Sequence, residues 1–332
     1  MARAASAILF AAVTLYAIFG GADFGAGFWD LTAGGATTGR RPRQLIDASM
    51  GPVWEANHVW LIFCLVVLWT AFPSAFASIT RTLYVPLGLA ALGIVLRGSG
   101  FAFRHVAVST SEQRAEGAAF AASSVITPFF MGTVAGALAS GRVPTNGVGA
   151  NGITSWVNPT SLLGGVLAVA ACAHLAAVFL AADARSRRAP DLESYFRRRA
   201  LAAAVFAGAV AVAGIFVLRA DASRLFHRLL GPGLPLVALS AGAGLAGLAL
   251  LGRVAPGWLR VIAVIAVGST VLGWGVAQYP YLLGTHLRVS EAAAPASTLW
   301  SIGLVALAAA LICGPSLAFL YRLQQRGQLE VN

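Results

Sequence analysis

The residues of this sequence best suited to proton chemistry are two carboxylates inside long apolar stretches. Asp23 occurs in GGADFGAG and Glu55 in GPVWEANHVW, and we find no other acid clearly inside such a stretch. A carboxylate at membrane depth costs roughly 2.5 to 3.5 kcal/mol on insertion scales, so such a residue indicates a function by default. If consecutive antiparallel helices carry the two acids, both lie at a similar depth near one membrane face. The pair therefore predicts a path for protons.

A structural role for each acid also fits the sequence. Glu55 lies near the start of its segment, where a carboxylate complements the positive end of a helix dipole. Asp23 is surrounded by glycines and can equally brace a break in its helix through a local hydrogen bond. Spacing alone leaves the proton path and the structural reading open for both residues.

Three further side chains accompany these acids. His58 follows Glu55 by three residues, one helical turn deeper, and such a histidine can relay protons, bind haem or simply pack. Arg97, in the third apolar segment, can snorkel to lipid phosphates or pair with an internal acid, and its depth favours the internal pair. Trp54 is typical of the aromatic belt at a membrane interface.

Composition requires a membrane to surround these residues. The chain has 332 residues, of which 58% are hydrophobic and 11% charged, and its mean hydropathy is +0.78. A helix needs about 20 apolar residues to cross the hydrocarbon. The windows that satisfy this are 4–29, 50–72, 82–104, 117–140, 161–182, 200–218, 230–252, 258–278 and 298–321. We therefore predict an all-α integral membrane protein with nine transmembrane helices.

The arginines predict the orientation of this bundle. All 23 basic residues are arginine; seven fall at the N-terminus and after the even spans, and sixteen fall on the opposite face. Cytoplasmic loops carry the excess of positive charge, so we expect the N-terminus outside and the C-terminus in the cytoplasm. The net charge of +11 thus reflects membrane topology, and we expect no nucleic-acid partner.

Residues 1–332 are expected to form a single polytopic transmembrane domain. The longest polar connectors, near 141–160 and 183–199, are too short to fold alone. The glycine runs predict close helix packing, because a nucleotide loop would need a preceding strand. Three isolated cysteines offer no metal or haem signature, so we expect no metal site.

Several motifs together resemble subunit II of the cytochrome bd family of quinol oxidases. These are LYAIFGGADFGAGFWDL at 15–31, GPVWEANHVWLI at 51–62, AFPSAFA at 71–77, LRGSGFAFR at 96–104, GWGVAQYPYLL at 273–283 and EAAAPASTLW at 291–300. Each motif alone is weak evidence for the family, whereas the order of all of them along nearly the whole chain is specific to it.

The resemblance implies a terminal respiratory oxidase of the bacterial cytoplasmic (inner) membrane that oxidises quinol and reduces dioxygen to water. It implies that haem b and haem d belong to a partner, subunit I, and that this chain holds no catalytic residue and no tightly bound cofactor. It also implies two four-helix units plus one extra helix. A bound quinone or lipid and a small accessory membrane subunit are possible in such a complex.

The resemblance further implies that a proton path from the cytoplasm begins at Glu55, between Trp54 and Asn57, and includes Asp23 in GADFG. The sequence departs from the family at two positions, since the family has Asp followed by Gly where Glu55 and Ala56 stand, and more often Gln or Glu at His58. We predict a proton path of Glu55, Asp23, Asn57 and His58, supported by Trp54 and Arg97. The alternative is a proton-coupled secondary transporter that uses Asp23 and Glu55.

Overall fold

The chain folds almost entirely into helices. A computed structural model describes residues 1–35, 37–51, 53–103, 110–145 and 151–325. Its helices are α1 Ala2–Leu31, α2 Arg40–Met50, α3 Trp54–Ala71, α4 Pro73–Thr82, α5 Tyr84–Phe103, α6 Thr110–Ala139, α7 Pro159–Ser186, α8 Pro190–Asp221, α9 Ser223–Leu230, α10 Leu234–Leu250, α11 Pro256–Gln278, α12 Val289–Ala292 and α13 Ala296–Gln325. A two-stranded antiparallel hairpin, β1 Tyr281–Leu283 and β2 Leu287–Arg288, precedes α12.

The helices confirm the predicted class of all-α membrane protein. Seven helices of the described residues are long and apolar enough to cross a membrane, and two bent pairs bring the number to nine if each pair is one span. Each predicted window coincides with one long helix of the structure. Helix α1 ends and α3 begins at the same end of the bundle, and α2 connects them there. We call this end of the bundle the α2 end.

The two bent pairs have local causes in the sequence. The pair α4 and α5 is bent by 87°, and the pair α9 and α10 by 80°. Pro86, in the first turn of α5, has no N–H to continue the hydrogen bonds of α4, which ends at Thr82. Gly231, Pro232 and Gly233 separate α9 from α10 in the same way.

The order of helices repeats along the chain. The first set is α1, α3, the bent pair α4 and α5, and α6; the second is α7, α8, the bent pair α9 and α10, and α11. Helix α13 follows as an additional element. This order matches the expected two four-helix units plus one extra helix.

Helix α1 lies at the centre of the bundle. It packs against α3, α6, α7 and α11, and every residue from Gly20 to Gly27 is buried. One core cluster surrounds its C-terminal half together with α2, α7 and α8, and another surrounds its N-terminal half with α3 and α4. Polar groups on the second half of α1 are therefore removed from both lipid and water.

The polar segments differ from the sequence prediction. Residues 183–199 are almost entirely helical, and only 187–189 connect α7 to α8. Ion pairs from Glu193 to Arg185 and Arg197 allow both helices to extend beyond the apolar windows. The search for 20-residue apolar windows also missed α2, which is a short polar helix with one buried face.

Candidate functional site

An ion pair between Asp23 and Arg97 lies in the core of the first set of helices. Nη2 of Arg97 is 2.6 Å from Oδ1 of Asp23, and Nε donates to Oδ2 at 3.1 Å. Nη2 also donates to the main-chain oxygen of Asp23 at 2.8 Å, and Nη1 donates to Oγ of Ser124 at 2.7 Å. The exposed fractions are 0% for the Asp23 side chain and 2% for that of Arg97. The prediction that Arg97 has an internal acidic partner is therefore confirmed.

Aromatic rings enclose the Arg97 guanidinium. Its central carbon lies 5.0 Å from the Phe24 ring centroid and 4.4 Å from that of Phe120. A cation over an aromatic face is stabilised by the ring quadrupole, and more strongly where water is excluded. The rings thus shield the ion pair from lipid without removing its charge.

Gly27 makes room for this arrangement. A Cβ atom at Gly27 would lie 1.9 Å from Oγ of Ser124 and 2.9 Å from Nη1 of Arg97. No side chain fits at such distances, so α1 and α6 approach each other around the guanidinium only because residue 27 is glycine. The glycine-rich segment serves helix packing, as the sequence predicts.

A narrow cleft leads to the ion pair from the α2 end. Asp23, Arg97, Trp54 and Phe120 line it together with three residues of α2, namely Ile46, Asp47 and Met50. The cleft is narrow, because its cavity volume of about 10 Å³ is close to the minimum that one water molecule needs. Asp47 is only partly buried, so a second carboxylate stands in the wall of this cleft. The sequence does not indicate Asp47 as a site residue, because α2 lies outside the apolar windows.

Glu55 does not join Asp23 in this cleft. Its side chain is exposed, and within the described residues it has neither a hydrogen bond nor an ion pair. It shares one exposed stripe of α3 with apolar residues at helical spacing, namely Val59, Ile62, Val66 and Trp69. The neighbouring Trp54 lines the cleft beside Asp23, which agrees with the similar depth expected for the two acids. The side chains of Trp54 and Glu55 nevertheless lie on different faces of α3.

His58 and Asn57 connect α3 to its neighbours. Nδ1 of His58 lies 2.9 Å from the main-chain oxygen of Trp54, and the His58 ring packs beside Tyr16 and Phe24 of α1. Asn57 is buried, and its Oδ1 accepts a hydrogen bond from the Tyr321 hydroxyl of α13. Asn57 thus attaches α13 to α3, which the sequence did not predict.

The expectation that Asp23 and Glu55 are the two acids inside spans is too narrow. Asp183 lies within α7, where its Oδ1 accepts a hydrogen bond from Nη2 of Arg260 at 2.5 Å, and Asp30 lies 2.9 Å from Nε of Arg43 near the end of α1. Both acids are 5% exposed. Sequence windows missed them because each lies at the end of an apolar stretch.

Metal ligands are not clustered in the described part of the chain. No group of three or more His, Cys, Asp and Glu side chains there has a geometry that could hold a metal ion. The three cysteines are free, and Cys64 and Cys172 are buried within α3 and α7.

Comparison with known proteins identifies the family. The model of the cytochrome bd terminal oxidase subunit II family matches residues 1–324. This chain belongs to that family. This assignment does not favour the transporter alternative.

Individual relatives of this chain have low sequence identity to it. Cytochrome bd ubiquinol oxidase subunit 2 of Bacillus subtilis is 25% identical over 182 residues, which are 54% of this chain and 53% of the relative. Cytochrome bd-I ubiquinol oxidase subunit 2 of Escherichia coli is 28% identical over 210 residues, 61% of this chain and 53% of the relative. The chain thus spans about half the length of these curated relatives.

A solved structure supports the fold of this chain over nearly its whole length. A chain of the bd oxidase from Geobacillus thermodenitrificans is similar with a TM-score of 0.78 and 23% identity, covering 97% of this chain and 98% of that one. The match confirms the helical architecture.

Proposed function

We propose that this chain supports a haem-bearing subunit I and conducts cytoplasmic protons toward the site of dioxygen reduction in a quinol oxidase. In this proposal haem b and haem d belong to subunit I, and the complex lies in the bacterial cytoplasmic membrane. The N-terminus lies outside, so the α2 end faces the cytoplasm. The position of Glu55 on an exposed apolar stripe carries the proposal.

The Glu55 stripe fits a partner protein better than lipid. A carboxylate that faces hydrocarbon costs roughly 2.5 to 3.5 kcal/mol. The surrounding exposed residues of the stripe are apolar, as is typical of a buried protein contact. Subunit I on this face removes Glu55 from lipid and places its carboxyl group between the two chains. Glu55 can then pass protons to groups of subunit I.

The ion pair of Asp23 and Arg97 has a different part in this route. Both carboxylate oxygens of Asp23 face the guanidinium, so this side chain is held in place. A paired charge at the base of the cleft orients water without adding net charge to the membrane interior. We therefore assign proton transfer to Glu55, and electrostatic positioning to Asp23 and Arg97.

The first experiment tests the partner. The tagged chain is purified from native membranes, and the absorption spectrum of the product is recorded. A second membrane subunit with bands of b-type and d-type haem supports the proposal. A chain that purifies alone, without haem, contradicts it.

The second experiment tests the proton route in the purified complex. The fully reduced complex is mixed with dioxygen, and proton uptake is followed with a pH-indicator dye. Glu55→Gln keeps the size of the side chain but removes its titratable group, so proton uptake is expected to slow while the complex assembles normally. Glu291→Gln is the control, since Glu291 lies in α12 and bonds the main-chain N–H of Arg288.

A further inference from the structure

The Tyr16 hydroxyl is a buried polar group that the route described above does not use. Its oxygen is enclosed, and among the described residues it has no hydrogen-bond partner. An enclosed hydroxyl without a partner is costly, and in native proteins such groups commonly bond to internal water. The hydroxyl therefore marks a position for water within the first set of helices.

The Tyr16 ring lies along α1 toward the ion pair. A Cβ atom at Gly20 would be 2.7 Å from Cε2 and 3.3 Å from Cζ of Tyr16, so the ring occupies the space that any larger residue 20 would need. Gly20 is one turn beyond Tyr16, and Asp23 is three residues further. The glycine thus lets the phenol extend toward the level of Asp23.

His58 lies beside the same part of α1. Its ring centroid is 6.3 Å from that of Tyr16, 5.8 Å from that of Phe24 and 6.1 Å from that of Trp54. Nδ1 of the neutral ring donates to the main-chain oxygen of Trp54, which leaves the lone pair on Nε2. His58 is also one helical turn from Glu55. His58 therefore neighbours Tyr16 across the α1–α3 contact and Glu55 along α3.

We propose that Tyr16 and His58 form a proton relay, bridged by internal water, which joins the cleft at Asp23 and Asp47 to Glu55. This inference rests on the proposed function and adds the interior half of its route. Glu55 becomes the end of the route at the partner subunit, and protons reach it through the chain.

The transfer steps balance without any net change in the relay. Water passes a proton to Nε2 of neutral His58 and receives one in turn from the cleft side. The imidazolium retains its Nδ1 proton on the Trp54 oxygen and releases the Nε2 proton toward Glu55. The Tyr16 hydroxyl accepts one hydrogen bond and donates another, so it orders the water and stays protonated.

Charged and titratable groups surround this relay on every neighbouring helix. They are Asp23 on α1, Asp47 on α2, Glu55 and Cys64 on α3, Arg97 on α5, Cys172 on α7 and Tyr321 on α13. Asp23 and Arg97 pair with each other, whereas Glu55 has no ion pair among the described residues.

The test compares Tyr16→Phe and His58→Gln with two matched controls in the whole complex. Tyr195→Phe removes another enclosed hydroxyl without a described hydrogen-bond partner, and His174→Gln changes the other histidine inside a span. Proton uptake after mixing with dioxygen is measured in H₂O and in D₂O. We expect both relay variants to slow uptake by roughly tenfold and to change its solvent isotope effect, since positioned proton-transfer groups contribute 10²-fold or more. Both controls should match the unmodified complex.

The outcomes separate this inference from the proposed function. If Glu55→Gln slows uptake while Tyr16→Phe and His58→Gln leave rate and isotope effect unchanged, the relay is wrong and the proposed function stands. If Glu55→Gln has no effect, the proposed function fails. Slowing by Tyr195→Phe to the same extent as by Tyr16→Phe would also overturn the relay, because the effect would then be general to buried hydroxyl groups. Tyr16→Phe removes an unpaired hydroxyl alone, so we expect normal assembly.

Discussion

The two sets of helices each contain a buried acid and arginine pair, but the pairs have different surroundings. Asp23 lies on α1, eight residues before its end, or roughly 12 Å at 1.5 Å per residue, and Asp183 lies three residues before the end of α7, or roughly 4.5 Å. The exposed side-chain fractions are 0% and 2% for Asp23 and Arg97, and 6% and 20% for Asp183 and Arg260. The first pair therefore lies deeper in the bundle and is more completely buried.

The neighbours of the two pairs differ as well. Asp23 lines a cleft that also contains the carboxylate of Asp47, whereas Arg260 bonds both the Asp183 carboxylate and the main-chain oxygen of Phe179. The second pair joins the start of α11 to the end of α7. An acid and arginine pair alone thus does not identify a proton route. The deeper position and the cleft distinguish the first set.

The largest effect is expected from breaking the deeper pair. Arg97→Met leaves the Asp23 carboxylate buried without a partner, which costs about 3 to 5 kcal/mol. Arg260→Met removes a partly exposed partner and should cost about 1.5 to 3 kcal/mol, as for a hydrogen bond to a charged group. Thermal unfolding of the purified complex and its yield measure both. Equal losses for the two variants would mean that the depth of the pair has no energetic consequence.

The next effect comes from filling the space at Gly27. Gly27→Ala places a methyl group against Ser124 and Arg97, and overpacking of this kind costs about 1 to 3 kcal/mol. Gly208→Ala in α8 is the control, because a Cβ atom there meets nothing within 4 Å. We expect a lower unfolding temperature for Gly27→Ala alone. A Gly27→Ala complex as stable as the control would show that α1 and α6 can separate without loss.

The smallest effect on stability is expected where α13 meets α3. Tyr321→Phe removes the hydrogen bond to Asn57, and interhelical hydrogen bonds in membranes contribute about 0.6 kcal/mol on average. The stacked contact between the Tyr321 ring and Phe19, with centroids 5.3 Å apart, should persist. Unfolding of the complex in detergent measures the change. A loss as large as that of Arg97→Met would instead make this contact a main support of the bundle.

The sequence predicts the spans well and the site only in part. Long apolar windows are set by the thickness of the bilayer, so their positions agree with the helices. An internal partner for Arg97 follows from the cost of an isolated charge in the membrane, but the sequence does not determine that this partner is Asp23. The direction of the Glu55 side chain depends on the rotation of α3 about its axis, which hydropathy does not determine because the helix is apolar on every side.

Other parts of the site depend on packing that leaves no pattern in the sequence. Helix α2 is polar and short, so neither Asp47 nor the cleft could be placed. The Tyr16 hydroxyl is enclosed because α1 packs closely against α3 and α7, and this packing cannot be read from the sequence. Asn57 is selected by the family motif, but its bond to Tyr321 joins residues 264 positions apart.

Glu55→Gln tests the central claim most directly. The variant complex is purified beside Glu291→Gln, and its stability, haem spectrum and rate of proton uptake upon reaction with dioxygen are measured. We predict unchanged stability and spectrum, because Glu55 has no partner within the described chain, together with slower proton uptake than in the control. Proton uptake as fast as in the control, in a complex with both subunits and all haem bands, would contradict the account.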